Sequence, residues 1–119
     1  MKKLKVYVYA ICKNESKFVE SYVKSMSEAD DIYVLDTGST DDTVEKLKKF
    51  KNVHIKQEKI EPFRFDIARN KSLEMVPVDA DICVCTDFDE VFESGWREKL
   101  ENIWLKENPT RVEYLYNWN

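Results

Sequence analysis

Three apolar runs, residues 4–12, 32–35 and 82–86, each stop abruptly at a polar cluster, and the chain between them carries its apolar residues at helical spacing. Runs rich in Val, Ile and Tyr with few polar residues suit strands covered on both faces, the condition of a parallel sheet. Phe18, Val19, Tyr22, Val23 and Met26 lay one stripe along a helix over residues 16–27. After the second run, Ser39 or Thr40 is placed to cap a helix carrying Val44, Leu47 and Phe50, with Asp41 and Asp42 in its first turn, where the helix dipole favours negative charge. Residues 53–57 make a shorter third strand. Pro62 then opens a segment over residues 63–76 with Phe65, Ala68 and Met75 on one face. Beyond the run 82–86, Ser94 is placed to cap a helix presenting Trp96, Leu100, Ile103 and Trp104, and residues 111–118 alternate as a fifth strand. The pattern β-α-β-α-β-α-β-α-β predicts one α/β domain over residues 1–119, a Rossmann-like arrangement with a mostly parallel sheet flanked by helices.

Ligands of such sheets gather at the carboxyl ends of the strands, near the point where strand order reverses. Three polar clusters fall at those ends: Lys13-Asn14-Glu15, residues 36–39, and residues 87–90. If the first strand lies between the second and the fourth, all three line one crevice of nucleotide size.

The third cluster is the most unusual. Between Lys71 and Arg97 there is no Lys or Arg, yet Glu74, Asp79, Asp81, Asp87, Asp89, Glu90 and Glu93 all fall there. Two carboxylates about 5 Å apart at an effective dielectric of about 20 repel by about 3 kcal/mol, which a divalent cation converts into attraction. Asp87-x-Asp89 in an extended chain keeps both carboxylates on one side. All-oxygen ligation suits Mn2+ or Mg2+, which can bridge a diphosphate. The competing explanation is a solvated acidic turn; the strand-end position and the lack of nearby cations favour the metal.

The other clusters have plainer alternatives. Residues 36–41 could form only a capped turn. A calcium loop fails on spacing, because the sixth position is Asp41 and the twelfth Leu47. Functionally, Asp36 could accept from a base N–H or a ribose hydroxyl. Arg69 could meet a phosphate in bidentate fashion, or simply pair with Asp66 or Glu74 on its own helix. His54, the one histidine, reads as structural. Cys83-x-Cys85 has no second pair or nearby histidine, which argues against zinc.

Composition limits the partners. A net charge of −4 leaves no footprint for nucleic acid or an anionic membrane. The three cysteines sit in apolar runs and are odd in number, which points to buried, reduced thiols and a cytoplasmic protein. Met1-Lys2-Lys3 imitates a leader, but its apolar run is short and Lys13-Asn14-Glu15 follows directly. No stretch is long enough to serve as a transmembrane segment.

With these residues in place, the pattern resembles the family 2 glycosyltransferases, whose fold is the GT-A type. The matching stretches are Ile11-Cys12-Lys13-Asn14-Glu15, residues 34–43 with Asp36-Thr37-Gly38-Ser39, Phe65-Asp66-Ile67-Ala68-Arg69-Asn70, and Thr86-Asp87-Phe88-Asp89-Glu90. The resemblance implies a nucleoside-diphosphate sugar as donor, with a UDP-sugar favoured by family preference, and an inverting transfer to an acceptor that is a glycan, a lipid-linked sugar or a protein. It implies a donor site of Cys12, Asn14, Glu15, Asp36, Gly38, Ser39, Arg69 and Asp87, with Glu15 and Asp36 against the nucleoside and Asp87 and Asp89 at the metal. It leaves Glu90 without a role. Family members continue well past this length, so the resemblance places the acceptor site and general base beyond this chain. The last strand would then be an open edge suited to a homo-oligomer. Three alternatives remain: a non-catalytic nucleotide-binding or interaction fragment, a haloacid-dehalogenase-type phosphatase suggested by Asp87-x-Asp89-x-Val91, and a nucleotidyltransferase.

Overall fold

The computed structural model describes residues 4–60, 64–88 and 91–107, the last four as backbone only. Asp89, Glu90, Pro62 and the expected fifth strand over 111–118, with its oligomer edge, lie outside the described residues. The elements run β1 (Val6–Cys12), a single 3₁₀ turn (Ser16–Phe18), α1 (Val19–Met26), β2 (Asp31–Asp36), α2 (Thr43–Leu47), β3 (Val53–Gln57), α3 (Phe65–Glu74), β4 (Ile82–Cys85) and α4 (Trp96–Glu107). The four described strands form one sheet in the order β3-β2-β1-β4, and each pairing is parallel. The expected α/β architecture is therefore present, with β1 between β2 and β4.

Period-two alternation decides what each face of the sheet carries. Val6, Val8, Ala10 and Cys12 of β1, Ile32 and Val34 of β2, and Ile82 and Val84 of β4 join one cluster with Val19, Tyr22, Val23 and Met26 of α1, Leu47 of α2 and Trp96 of α4. This is the main core, and truncating a fully buried member such as Ile32 or Met26 to Ala would cost about 2–5 kcal/mol. Helix α3 packs on β1 and β2 from the other face, burying Ala68 and Ser72 outside that cluster. Among the described residues no helix is long and apolar enough to cross a membrane.

Several local expectations are corrected. Residues 16–18 form a 3₁₀ turn, so α1 proper begins at Val19. Phe65 of α3 is half exposed instead of sharing the buried face of Ala68, and the Arg69 guanidinium lies over its ring at 4.5 Å. Ile103 of α4 is likewise exposed, while Trp96 and Leu100 pack inward. The cysteines are all free, but only Cys12 is buried; Cys83 points to the less covered face of the β4 edge and is exposed. Across the chain, Glu28 caps α4 by accepting from the Gly95 amide at 2.8 Å and the Arg97 amide at 3.1 Å. Arg97 in turn donates to the Glu28 carbonyl, the Leu4 carbonyl and both Asp30 carboxylate oxygens. His54 stacks on Tyr33 and lies 3.0 Å from Asp31, near the amino end of β3 and away from the crevice.

Candidate functional site

Strand β1 pairs with β2 as far as Cys12 and Asp36, but with β4 only as far as Tyr9 and Cys85. The carboxyl end of β1 therefore runs past β4, between α1 on one face of the sheet and α3 on the other. This is the switch point at which open α/β sheets form a crevice.

One wall consists of the loops after β1 and β2. Asn14 adopts φ 53°, a left-handed conformation that Asn tolerates better than most residues. From there its Oδ1 accepts from the Thr40 amide at 2.7 Å and the Asp41 amide at 3.3 Å, while its own amide donates to Ser39 Oγ at 2.8 Å. The Glu15 amide donates to Thr43 Oγ1 at 3.0 Å. Asp36 is 1% exposed. Its carboxylate accepts from the Ser39 amide at 3.0 Å, the Gly38 amide at 3.4 Å, the Ser39 hydroxyl and, at 3.5 Å, the Cys12 thiol. Burial, with Asp36 alongside, pushes the Cys12 thiol well up, so it remains a protonated donor. Gly38 has φ 131°, which side-chain-bearing residues rarely adopt.

The start of α2 also departs from expectation. Neither Ser39 nor Thr40 caps it; their hydroxyls go to Asp36 and Asn14. Asp41 instead accepts from the Thr43 amide at 3.0 Å and from the Thr43 hydroxyl, and those bonds hold its carboxyl below the usual aspartate range.

The other wall joins α3 to the end of β4. Asp87 Oδ1 lies 3.8 Å from Arg69 Nη2, and the two side chains are 57% and 43% exposed. The expected competing partner Asp66 is taken by Arg64 at 3.2 Å, and Lys71 pairs with Glu58 at 2.6 Å. Among those three cations, Arg69 is the one set beside the acidic cluster. Thr86 and Phe88 are buried on either side of Asp87, which leaves the Asp87 carboxylate turned outward between them.

The structure thus gathers Cys12, Asn14, Glu15, Asp36, Gly38 and Ser39 at the carboxyl ends of β1 and β2, and sets Arg69 of α3 against Asp87 just after β4. Asp89 lies outside the described residues. Among those described, no group of three or more His, Cys, Asp or Glu side chains is gathered for a metal ion. Asp87 offers a hard, half-exposed oxygen donor, which fits a cation that takes one or two carboxylates and completes its shell with water and phosphate oxygens. Sequence reasoning missed Glu28 and the contact of Tyr22 with Thr86. Neither falls in a motif, and Tyr22 is indistinguishable from the rest of an apolar helical stripe.

Comparison with known proteins bears on what this crevice serves. The model of the glycosyl transferase family 2 matches residues 7–113. The chain belongs to that family. Among solved structures, this family 2 chain is similar to S. aureus TarS 1-349, with a TM-score of 0.72 and 18% identity over 88% of this chain and 33% of that one. It is also similar to the mannosyltransferase PcManGT from Pyrobaculum calidifontis in complex with GDP-Man and Mn2+, with a TM-score of 0.68 and 22% identity over 85% of this chain and 31% of that one. At those identities the likeness shows the shared GT-A fold. The chain spans about a third of the length of each neighbour. Compared by sequence, no curated protein matches it.

Proposed function

We propose that this chain supplies the donor-binding side of a metal-dependent, inverting glycosyltransferase that takes a nucleoside-diphosphate sugar, a UDP-sugar in the first instance. One observation carries the reading: Arg69 and Asp87, far apart in sequence, meet beside the open end of β1, facing loops already ordered by their own hydrogen bonds. A guanidinium and a metal-binding carboxylate set together form a natural receptor for a diphosphate. The mannosyltransferase neighbour, with its GDP-Man and Mn2+, supports a nucleotide donor and a divalent ion for this fold. The uridine preference rests on the family resemblance alone.

In this reading Asp87 and Asp89 hold Mn2+ or Mg2+. The ion, when bound, stabilises the charge that develops on the departing diphosphate. Arg69 donates to the diphosphate oxygens from the α3 side. Asp36 acts from beneath the loop: buried and engaged by its neighbours, it keeps Gly38 and Ser39 against β1 so that loop backbone and Glu15 can meet the nucleoside. Asn14 holds the loops after β1 and β2 at a fixed separation. Both residues therefore shape the donor site through the loops they order. A haloacid-dehalogenase-type phosphatase would carry its Asp-x-Asp pair on the first strand, whereas Asp87 follows β4 at the edge of the described sheet.

Calorimetric titration with UDP, GDP and dTDP, each in Mn2+ and in chelator, tests the proposal. The expected result is metal-dependent binding of one diphosphate, lost in Asp87→Ala and in Asp89→Ala. Equal binding with and without metal, or no binding of any of the three, would sink it.

A further inference from the structure

We propose that Tyr22, a core residue of α1, is a positioning residue that aims the Asp87 carboxylate into the crevice; the inference rests on the donor-site reading above. Its neighbours in the buried stripe, Val19, Val23 and Met26, carry no group that needs a hydrogen-bond partner. Tyr22 is equally buried, at 0% exposure, but brings a hydroxyl into the interior. A buried phenol must find a partner or lose the hydration it had when unfolded. Its oxygen lies 2.7 Å from Thr86 Oγ1, a contact between α1 and the residue immediately before Asp87. Thr86 is itself buried; its amide donates to the Tyr9 carbonyl at 3.1 Å and its hydroxyl reaches the same carbonyl at 3.5 Å. With the Thr86 hydroxyl turned to Tyr9, the Tyr22 hydroxyl donates to Thr86 and the chain of bonds closes on the β1 backbone.

The ring makes the second contact. It stacks on Phe88, the residue immediately after Asp87, with centroids 4.3 Å apart and planes 21° apart. One side chain therefore grips both neighbours of Asp87 and draws them into the core. The residue between them faces the opposite way, and it faces Arg69. β4 ends at Cys85 and the Thr86 amide makes the last bond to β1, so beyond Thr86 the ladder no longer sets the direction of the side chains. Tyr22 takes over where the ladder stops.

A purely structural role would change stability, whereas a positioning role changes the metal-linked part of nucleotide affinity. Tyr22→Phe keeps the stack and removes the hydroxyl; Thr86→Val removes the partner, and Thr86→Ser restores it. Tyr7→Phe serves as the control, since it deletes a hydroxyl 3.4 Å from Asp79 at the far end of the strands. Affinities for UDP and GDP are measured by calorimetry in Mn2+ and in chelator, alongside thermal melts. Tyr22→Phe and Thr86→Val are each expected to weaken Mn2+-dependent binding about fivefold, the scale of one hydrogen bond. Their combination should weaken it no further. Thr86→Ser and Tyr7→Phe should bind as the wild type does. If Tyr22→Phe melts earlier but binds normally, or if the losses in the two variants add, the inference is overturned while the donor site stands. If the wild type binds neither nucleotide in Mn2+, the donor reading falls and this role falls with it.

Discussion

On one side of the crevice a buried carboxylate, Asp36, accepts from the Gly38 and Ser39 amides, the Ser39 hydroxyl and the Cys12 thiol. On the other, Arg69 and Asp87 meet at 3.8 Å with about half of each side chain in solvent. Both walls use polar residues at strand ends, yet the energetics differ in kind. A buried carboxylate with several donors is costly to disturb, because each donor left behind has lost its water. An exposed ion pair is worth about 0–1 kcal/mol and readily exchanges its partner. The first wall is shaped when the chain folds, and in the donor-site proposal the second keeps charge in reserve for a ligand. A nucleotide site needs both: a rigid surface for the nucleoside, and a cation and a carboxylate that a metal diphosphate can engage.

The sharpest test of that contrast is Asp36→Ala, which should lower stability by about 3 kcal/mol in urea melts by stranding the Gly38 and Ser39 donors. A loss below about 0.5 kcal/mol would mean the loop does not depend on this carboxylate. Asn14→Gly comes next: glycine accepts the left-handed backbone without strain, so the variant isolates the side-chain bonds to Thr40 and Asp41. Its expected cost is about 1–2 kcal/mol, and an unchanged melt would show that the two loops hold their spacing without it.

On the opposite wall, Arg69→Gln should leave the urea midpoint nearly unchanged and weaken Mn2+-dependent nucleotide binding about fivefold. Destabilisation with intact binding would reverse the assignment of that wall. The smallest effect concerns acid. Because the folded Asp41 carboxyl titrates below the 3.8 of an ordinary aspartate, its contribution is complete above that value and is lost as pH falls through the folded one. Glu58, held down by the hydrogen bond from Lys71, behaves in the same sense below 4.5. Asp41→Asn should therefore show a shallower loss of stability than the wild type between neutral pH and about pH 3. Parallel curves for the two proteins would count against the cap.

Much of the fold was legible because strands buried on both faces leave long apolar runs, and because turn and cap residues cluster at their ends. Val6 to Cys12 and the stripe of α1 announce themselves in this way. Helix caps were less legible. Ser39, Thr40 and Ser94 are all good cap formers, but a hydroxyl has several possible partners, and tertiary contacts with Asp36 and Asn14 claimed the first two. The setting of Asp36 was only half readable: a carboxylate at a strand end can stand in solvent or be buried against its own loop, and packing decides which. The apolar run around Cys83 reads as a buried strand, but period-two alternation turns Ile82 and Val84 into the core and leaves Cys83 on the opposite, exposed face.

The sequence by itself determined the alternation of strands and helices, the polar strand ends and the family motifs, since these depend on residue spacing along the chain. Tertiary structure alone decided that Arg69 pairs with Asp87, that Asp36 faces inward, and that Tyr22 holds both neighbours of Asp87. Each of these depends on which elements pack together, and spacing along the chain does not encode a distance across a sheet.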